Sequence, residues 1–221
     1  GSIGLVAKNG SGVDLATTSG TINDNAPVEA EDNIMVYAEG VWKNPRRAFT
    51  GATYDDEAYG RGESETGKKY ISDFNTKVNV NSNIEMGGAK STAFFAKSGA
   101  IIDSTNSTVK ITGHSSKGAL AYSVEDYESK DIVDSDGKNK GAQPKTEIIV
   151  KSIEASADGT KDSEKKANMG AIAISQDGTE IGTGDVSVTV KKDVKVYGVG
   201  AFASGEKAKV TIEGKNSEIT S

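Results

Sequence analysis

Short apolar runs alternate with polar residues along this chain and are separated by clusters of Gly, Asn, Asp and Ser. The two-residue period is clearest in Val78-Asn79-Val80, Val109-Lys110-Ile111-Thr112, Val186-Ser187-Val188-Thr189-Val190, Val194-Lys195-Val196 and Val210-Thr211-Ile212-Glu213-Gly214. Such alternation, bounded by turn-forming residues, predicts β-strands with one face buried. It begins at Ile3-Gly4-Leu5-Val6-Ala7, turns at Lys8-Asn9-Gly10-Ser11-Gly12, and returns about 31 residues on at Ile34-Met35-Val36-Tyr37-Ala38. No window holds apolar residues at i, i+3, i+4 and i+7, which excludes helical repeats.

One tetrad recurs: Gly118-Ala119-Leu120-Ala121, Gly170-Ala171-Ile172-Ala173 and Gly200-Ala201-Phe202-Ala203, with a looser copy at Thr92-Ala93-Phe94-Phe95. Ala93 to Ala119 is 26 residues, Ala119 to Ala171 is 52, and Ala171 to Ala201 is 30. The doubled interval predicts a further copy between Thr146 and Ala155. A period of this length built from several short strands predicts an all-β chain, a right-handed parallel β-helix with inserted loops. Regular strands would also suit a β-sandwich. About eight turns fit, giving a rod roughly 40 Å long. Phe94, Leu120, Ile172 and Phe202 are expected to form one inward ladder, with the tetrad's alanines on the opposite side. Val109/Ile111, Val188/Val190, Val194/Val196 and Val210/Ile212 should supply other inward ladders. Lys110, Thr112, Ser187, Thr189, Lys195, Thr211 and Glu213 should face water. The tetrad strand is thus apolar on both sides, either because tight corners admit only small residues or because a loop or partner covers it.

Three stretches break the rhythm, at about residues 42–70, 124–145 and 155–168, within a single β-helical unit spanning residues 3–221. Gly1-Ser2 reads as a remnant of cloning, and the chain as part of a longer one. Residues 42–70 hold all the arginines, the only Trp and three of the Tyr residues. Trp, Tyr and Arg combine large contact area with a polar or charged end, the chemistry of binding hot spots. Trp42, Arg46, Arg47, Tyr54, Tyr59, Arg61 and Tyr70 are therefore the candidate ligand-binding residues, for a protein or a sugar. The alternative is that Trp42 and Phe49 pin the loop to the rod.

Composition narrows the partners. There is no cysteine, hence no disulfide and no thiolate metal site. The net charge of −6, with no basic stripe, argues against nucleic acid. No apolar run reaches the roughly 18 residues of a membrane helix.

Catalytic chemistry finds little support. Asp55-Asp56-Glu57, with Arg46, Arg47 and Arg61 nearby, is the only candidate cluster for a polysaccharide hydrolase or lyase. The single histidine, His114, sits in a turn without a serine-nucleophile motif around it. Asp134-Ser135-Asp136-Gly137-Lys138-Asn139 resembles a calcium loop, but position 12 is Lys145 instead of a bidentate Glu. The expectation is a non-catalytic chain without metal or cofactor.

The run Gly198-Val199-Gly200-Ala201-Phe202-Ala203-Ser204-Gly205, followed by Val210-Thr211-Ile212-Glu213-Gly214, and the earlier Gly118-Ala119-Leu120-Ala121 resemble passenger domains of type V autotransporters. The Lys/Asn/Ile-rich composition is most similar to large fusobacterial outer-membrane adhesins. The resemblance covers most of residues 4–38 and 78–221. It implies a monomeric β-helix displayed at the cell surface, with a membrane β-barrel further along the parent chain. It also implies a virulence-associated adhesin that binds a protein or glycan receptor on a bacterial or host cell. A non-binding stalk and a β-helical polysaccharide-active enzyme are the alternatives.

Overall fold

The computed structural model describes residues 2–8, 12–15, 20–23, 30–40, 63–64, 67–68, 70–71, 76–124, 132–133, 145–155, 167–177, 180–181 and 184–220. They build a parallel β-helix with three faces. Face A stacks Ile3–Lys8, Ile34–Glu39, Thr92–Lys97, Lys117–Val124, Asn168–Asp177 and residues 198–204. Face B stacks Gly12–Leu15, Lys77–Val80, residues 101–104, residues 146–150, Val186–Val190 and Ala208–Ile212. Face C stacks Thr21–Asn23, Asn83–Met86, residues 108–111, residues 152–155, residues 194–197 and Glu218–Thr220. Every one of these pairings is parallel, which excludes the sandwich.

Six coils stack among the described residues, not eight. The first and last are separated by roughly 24 Å at the spacing of paired strands. The expected copy between Thr146 and Ala155 does not exist. That stretch forms faces B and C of the coil that begins with Gly118, and Ala119 pairs directly with Ala171. The 52-residue interval is one coil enlarged by insertions.

The interior is largely aliphatic. Val78, Ile102, Ile148 and Val188 from face B meet Ile84, Val109, Ile153 and Val194 from face C, all fully buried. Val186–Val190 shows why alternation works here: Val186, Val188 and Val190 enter the core while Thr189 is only partly covered. Val210 and Ile212 pack against the same core from the last coil. Lys110, Thr112, Lys195 and Glu213 face water as expected. Ser187 does not: it is buried and its hydroxyl donates to Glu147 Oε1 at 3.3 Å. One coil departs from the aliphatic rule. Ser104 and Ser107 turn inward at a bulge, and both hydroxyls donate to the Val80 carbonyl, at 3.3 and 2.9 Å. The same coil carries Phe94, a large inward side chain on face A.

The tetrad is inverted relative to expectation. Ala7, Ala38, Ala96, Ala121 and Ala173 form the inward ladder, buried in the core cluster. Val6, Tyr37, Phe95, Leu120, Ile172 and Phe202 pair in register one residue earlier and point outward. Phe94 therefore belongs with Val36 and Ala119, inside, and Phe95 takes its place beside Leu120. A one-residue shift of register moves a side chain to the other face. The core clusters opposite leave the inward column of Ala7 and its partners room for little beyond alanine, whereas the neighbouring inward column of face A admits Val36 and Phe94.

The tetrad's glycine marks a bend where the chain passes from face C to face A. An added Cβ at Gly118 would lie 2.6 Å from Ile153 Cγ2 and 2.8 Å from the Gly170 carbonyl oxygen. At Gly170 it would lie 2.5 Å from the Gly200 carbonyl oxygen and 2.9 Å from Val194 Cγ1. Closeness to the next rung's carbonyl and to core side chains, not a left-handed backbone, selects glycine at these rungs. Gly4, Met35 and Ala93 occupy the equivalent position in the first three coils.

Candidate functional site

The three outer faces differ in chemistry. On face C the outward ladder reads Glu85, Lys110, Glu154, Lys195, Glu218, so opposite charges stack at every step. On face B it reads Asp14, Asn79, Asp103, Ile149, Thr189, Thr211. Face A instead carries the apolar column Val6, Tyr37, Phe95, Leu120, Ile172, Phe202. Val6 and Phe202 are 45% and 42% exposed, whereas Tyr37 and Ile172 are 8% and 2% exposed. An outward apolar column is the feature that distinguishes this face.

Two residues along each strand runs a second outward column: Lys8, Glu39, Lys97, Tyr122, Ile174. The Glu39 carboxylate lies between Lys8 Nζ at 3.2 Å and Lys97 Nζ at 2.8 Å, with its own side chain 4% exposed. Lys8 Nζ also sits 5.1 Å from the Tyr37 ring centroid, and Tyr37 meets Phe95 edge-on at 5.3 Å. Burial alone would raise the Glu39 pKa. Hydrogen bonds from Lys97 and Tyr37, the Lys97 charge and a hydrogen bond from Lys8 outweigh it, so the carboxyl is held below its ordinary value of 4.5. Burial pushes the Tyr37 hydroxyl well above 10.0, and the charge of Glu39 and the hydrogen bond to it push the same way. Further along the column the Tyr122 hydroxyl donates to Gln176 Oε1 at 2.6 Å.

Two of the three insertions leave from the edge of this face where the chain turns from face A to face B; the third departs after Ala155 on face C and rejoins at Ala167, before face A. The first departs after Gly40 and rejoins at Thr76. The Thr76 hydroxyl donates to the Glu39 carbonyl at 2.9 Å, and the Gly40 amide donates to the Lys97 carbonyl at 3.0 Å. The second departs after Val124 and rejoins at Lys145. Tyr70–Ile71 from the first pairs in parallel with Ile132–Val133 from the second. The coil between them turns tightly, with Ser98 and Gly99 at φ 43° and 88°. The Gly99 amide donates to Thr146 Oγ1 at 2.8 Å, tying that turn to the next coil. A short antiparallel hairpin, Asp177 against Glu180, leaves the following coil at the same corner.

Trp42, Arg46, Arg47, Tyr54, Tyr59 and Arg61 lie outside the described residues, as do Asp55-Asp56-Glu57 and Asp134–Asn139. Tyr70 is placed by its backbone, in the strand shared with Ile132–Val133. His114 lies half-buried in its turn, with Nδ1 3.4 Å from Ser115 Oγ and its carbonyl accepting from the Lys90 amide at 2.8 Å. Among the described residues no group of three or more His, Asp or Glu is placed to hold a metal ion. The Lys8–Glu39–Lys97 column was missed in the sequence. Its signal was there: the residue after the tetrad's last alanine runs Lys8, Glu39, Lys97 in successive coils. No family model, curated protein or solved structure matches this chain.

Proposed function

We propose that this chain is part of the passenger of a surface-displayed autotransporter adhesin, holding a receptor protein or glycan through the insertions that leave one corner of its β-helix. The observation that carries the reading is the placement of those insertions. Two depart from the same corner, bracket one tightly turned coil, and share the strand pair Tyr70–Ile71 with Ile132–Val133. They leave beside the one face whose outward column is apolar. A rigid solenoid that presents variable loops from a fixed edge is a scaffold for recognition. The resemblance to autotransporter passengers supports surface display, with a β-barrel anchor elsewhere in the parent chain.

The test is a glycan and receptor array probed with this chain, beside a variant with Arg46, Arg47 and Tyr54 replaced by Ala. Binding and cell adhesion should fall at least ten-fold in the variant with its thermal midpoint unchanged. Equal adhesion by both would turn the reading to a spacer, which the alternating charges and small polar residues of faces B and C also suit.

A further inference from the structure

Incomplete burial is concentrated at the two ends of the stack. Among the described residues the exposed large apolar side chains are Ile3, Val6, Val199, Phe202 and Ile219, all in the first or the last coil. The apolar residues that pack on the core while only partly covered are Leu5, Val13 and Ile22 at one end, and Ala208, Val210 and Ile212 at the other. Ala201 and Ala203 hold the inward positions that Ala171 and Ala173 occupy one coil earlier. Ala171 and Ala173 are fully buried, whereas Ala201 and Ala203 lie open to solvent. The strands of these two coils pair with a described strand on one side only. An edge of that kind is a template for the addition of further strands.

The two ends fit each other. Every pairing between coils is parallel, so the last coil shows solvent the same edge that each earlier coil shows its successor. The first coil shows the edge that each later coil shows its predecessor. Another copy placed head to tail therefore continues the stack by the step already used inside it. Carrying the register of face A across that junction sets Ala201 on Leu5, Phe202 on Val6 and Ala203 on Ala7. On face B it sets Val210 on Val13 and Ile212 on Leu15. Apolar side chains meet apolar ones, inward alanines meet inward positions, and the outer column of face A runs on from one copy to the next. No like charges come together: Lys209 falls on Gly12, Ser204 on Lys8 and Glu218 on Asn23. Two first coils facing each other would instead run antiparallel and set face B against face C, where none of these registers is kept.

We propose that the two ends of this solenoid dock on one another, the last coil of one copy receiving the first coil of a second copy by strand addition on faces A and B. The contact uses different surfaces on the two copies, so it does not close and it grows into open filaments. Face C contributes least, because its described edge matches at Glu218 and Asn23 alone.

Sedimentation of the whole chain over roughly three decades of concentration, up to about 1 mM, tests this. The weight-average mass should rise throughout, without levelling at the dimer. Val6→Lys places a charge on the edge of the first coil and Phe202→Lys on that of the last. Both positions are exposed in a single copy, so both variants should keep the circular dichroism of the unaltered chain. Each should self-associate at least about ten-fold more weakly. Mixed, the two variants should form a one-to-one dimer that grows no further, since only the last coil of one and the first coil of the other stay competent. Undiminished self-association in either variant overturns the contact. A chain that stays monomeric over the whole range overturns it too, and leaves the open edges to further coils of the parent chain.

Discussion

Exchanging sizes within one tetrad distinguishes an inward alanine ladder from an inward leucine. Ala121 is fully buried, stacked between Ala96 and Ala173, which are equally buried. Ala121→Leu drives three extra carbons into a space bounded by fixed rungs above and below. Overpacking of a close-packed core costs about 1–3 kcal/mol, and the locked neighbours place this site at the upper end. Leu120 points outward and is half-buried. Full burial of a leucine contributes about 1.5–3 kcal/mol, so Leu120→Ala should lose about half, near 1 kcal/mol. For a chain of this length those values correspond to roughly 6–12 °C for Ala121→Leu and 2–4 °C for Leu120→Ala. Urea unfolding followed by circular dichroism, with the denaturant slope checked for constancy, measures both. The opposite order would refute the orientation. A leucine buried in the core loses about 2–5 kcal/mol on truncation to alanine, while an outward alanine accepts leucine with little change.

Other consequences follow from the same geometry. Glu39 has a depressed pKa, so its contribution is present above the carboxyl's unfolded value and is lost as pH falls below about 4.5. Glu39→Gln should flatten the acid limb of the stability–pH curve, and an unchanged limb would remove Glu39 from that role. Tyr37 shifts the other way: its stabilisation is complete below pH 10 and declines as the unfolded tyrosine ionises above it. Tyr37→Phe should abolish that decline, as read from thermal midpoints between pH 9 and 11, about the ordinary tyrosine pKa. Ser115 sits at φ 55°, where a non-glycine residue is strained. Ser115→Asn, better suited to this region, should stabilise by up to about 1 kcal/mol in urea titrations. Lys110→Glu would stack three acids at Glu85, position 110 and Glu154. The loss should be about 1 kcal/mol at low salt and shrink in 1 M NaCl, because these side chains are exposed.

Faces B and C were legible because their residues separate cleanly by size and polarity. Val188 and Val190 against Ser187 and Thr189 leave no doubt about which side is buried. Face A lacks that contrast. Tyr37, Phe95, Leu120 and Ile172 alternate with Ala38, Ala96, Ala121 and Ala173, so both sides are apolar, and hydrophobicity alone favours the larger set. Only the volume filled from the opposite faces, by Ile153, Val194 and their neighbours, reverses the choice. That volume is a property of three strands distant in sequence. The coil count failed for a related reason. Residues 125–144 and 156–166 together enlarge one coil until its length imitates two, and a period search cannot distinguish long turns from a missing copy. The buried Ser and Asn two residues before the tetrad glycine were readable in principle from Ser116-Lys117-Gly118 and Asn168-Met169-Gly170. Gly198 in that place before Gly200, and the replacement of the tetrad glycine by Met35 and Ala93 in earlier coils, hid the pattern. Residues 42–70 stood out by composition alone, since a segment without period offers no register from which geometry can be inferred.

The unequal faces bear on where recognition should be sought. Stacked identical positions multiply whatever chemistry they carry. A like-charge column would accumulate repulsion at each step of about 4.8 Å, and face C avoids this by alternating Glu and Lys. Face B avoids it by separating Asp14 from Asp103 with Asn79 and continuing through the uncharged Ile149, Thr189 and Thr211. On face A the same multiplication acts on apolar side chains and produces a continuous hydrophobic column, the one outcome that solvent does not favour. Its polar neighbour column is satisfied from within, Glu39 by Lys8 and Lys97, and Tyr122 by Gln176. The charges of Glu39 and its lysines are thus committed to one another instead of offered to a ligand. What remains at this edge is apolar surface together with the departure points of the insertions at Gly40 and Val124. Of the six, Val6 and Phe202 lie open to solvent at the two ends while Tyr37 and Ile172 are nearly covered, so the corner where the insertions depart, and not the column itself, is where binding experiments should begin.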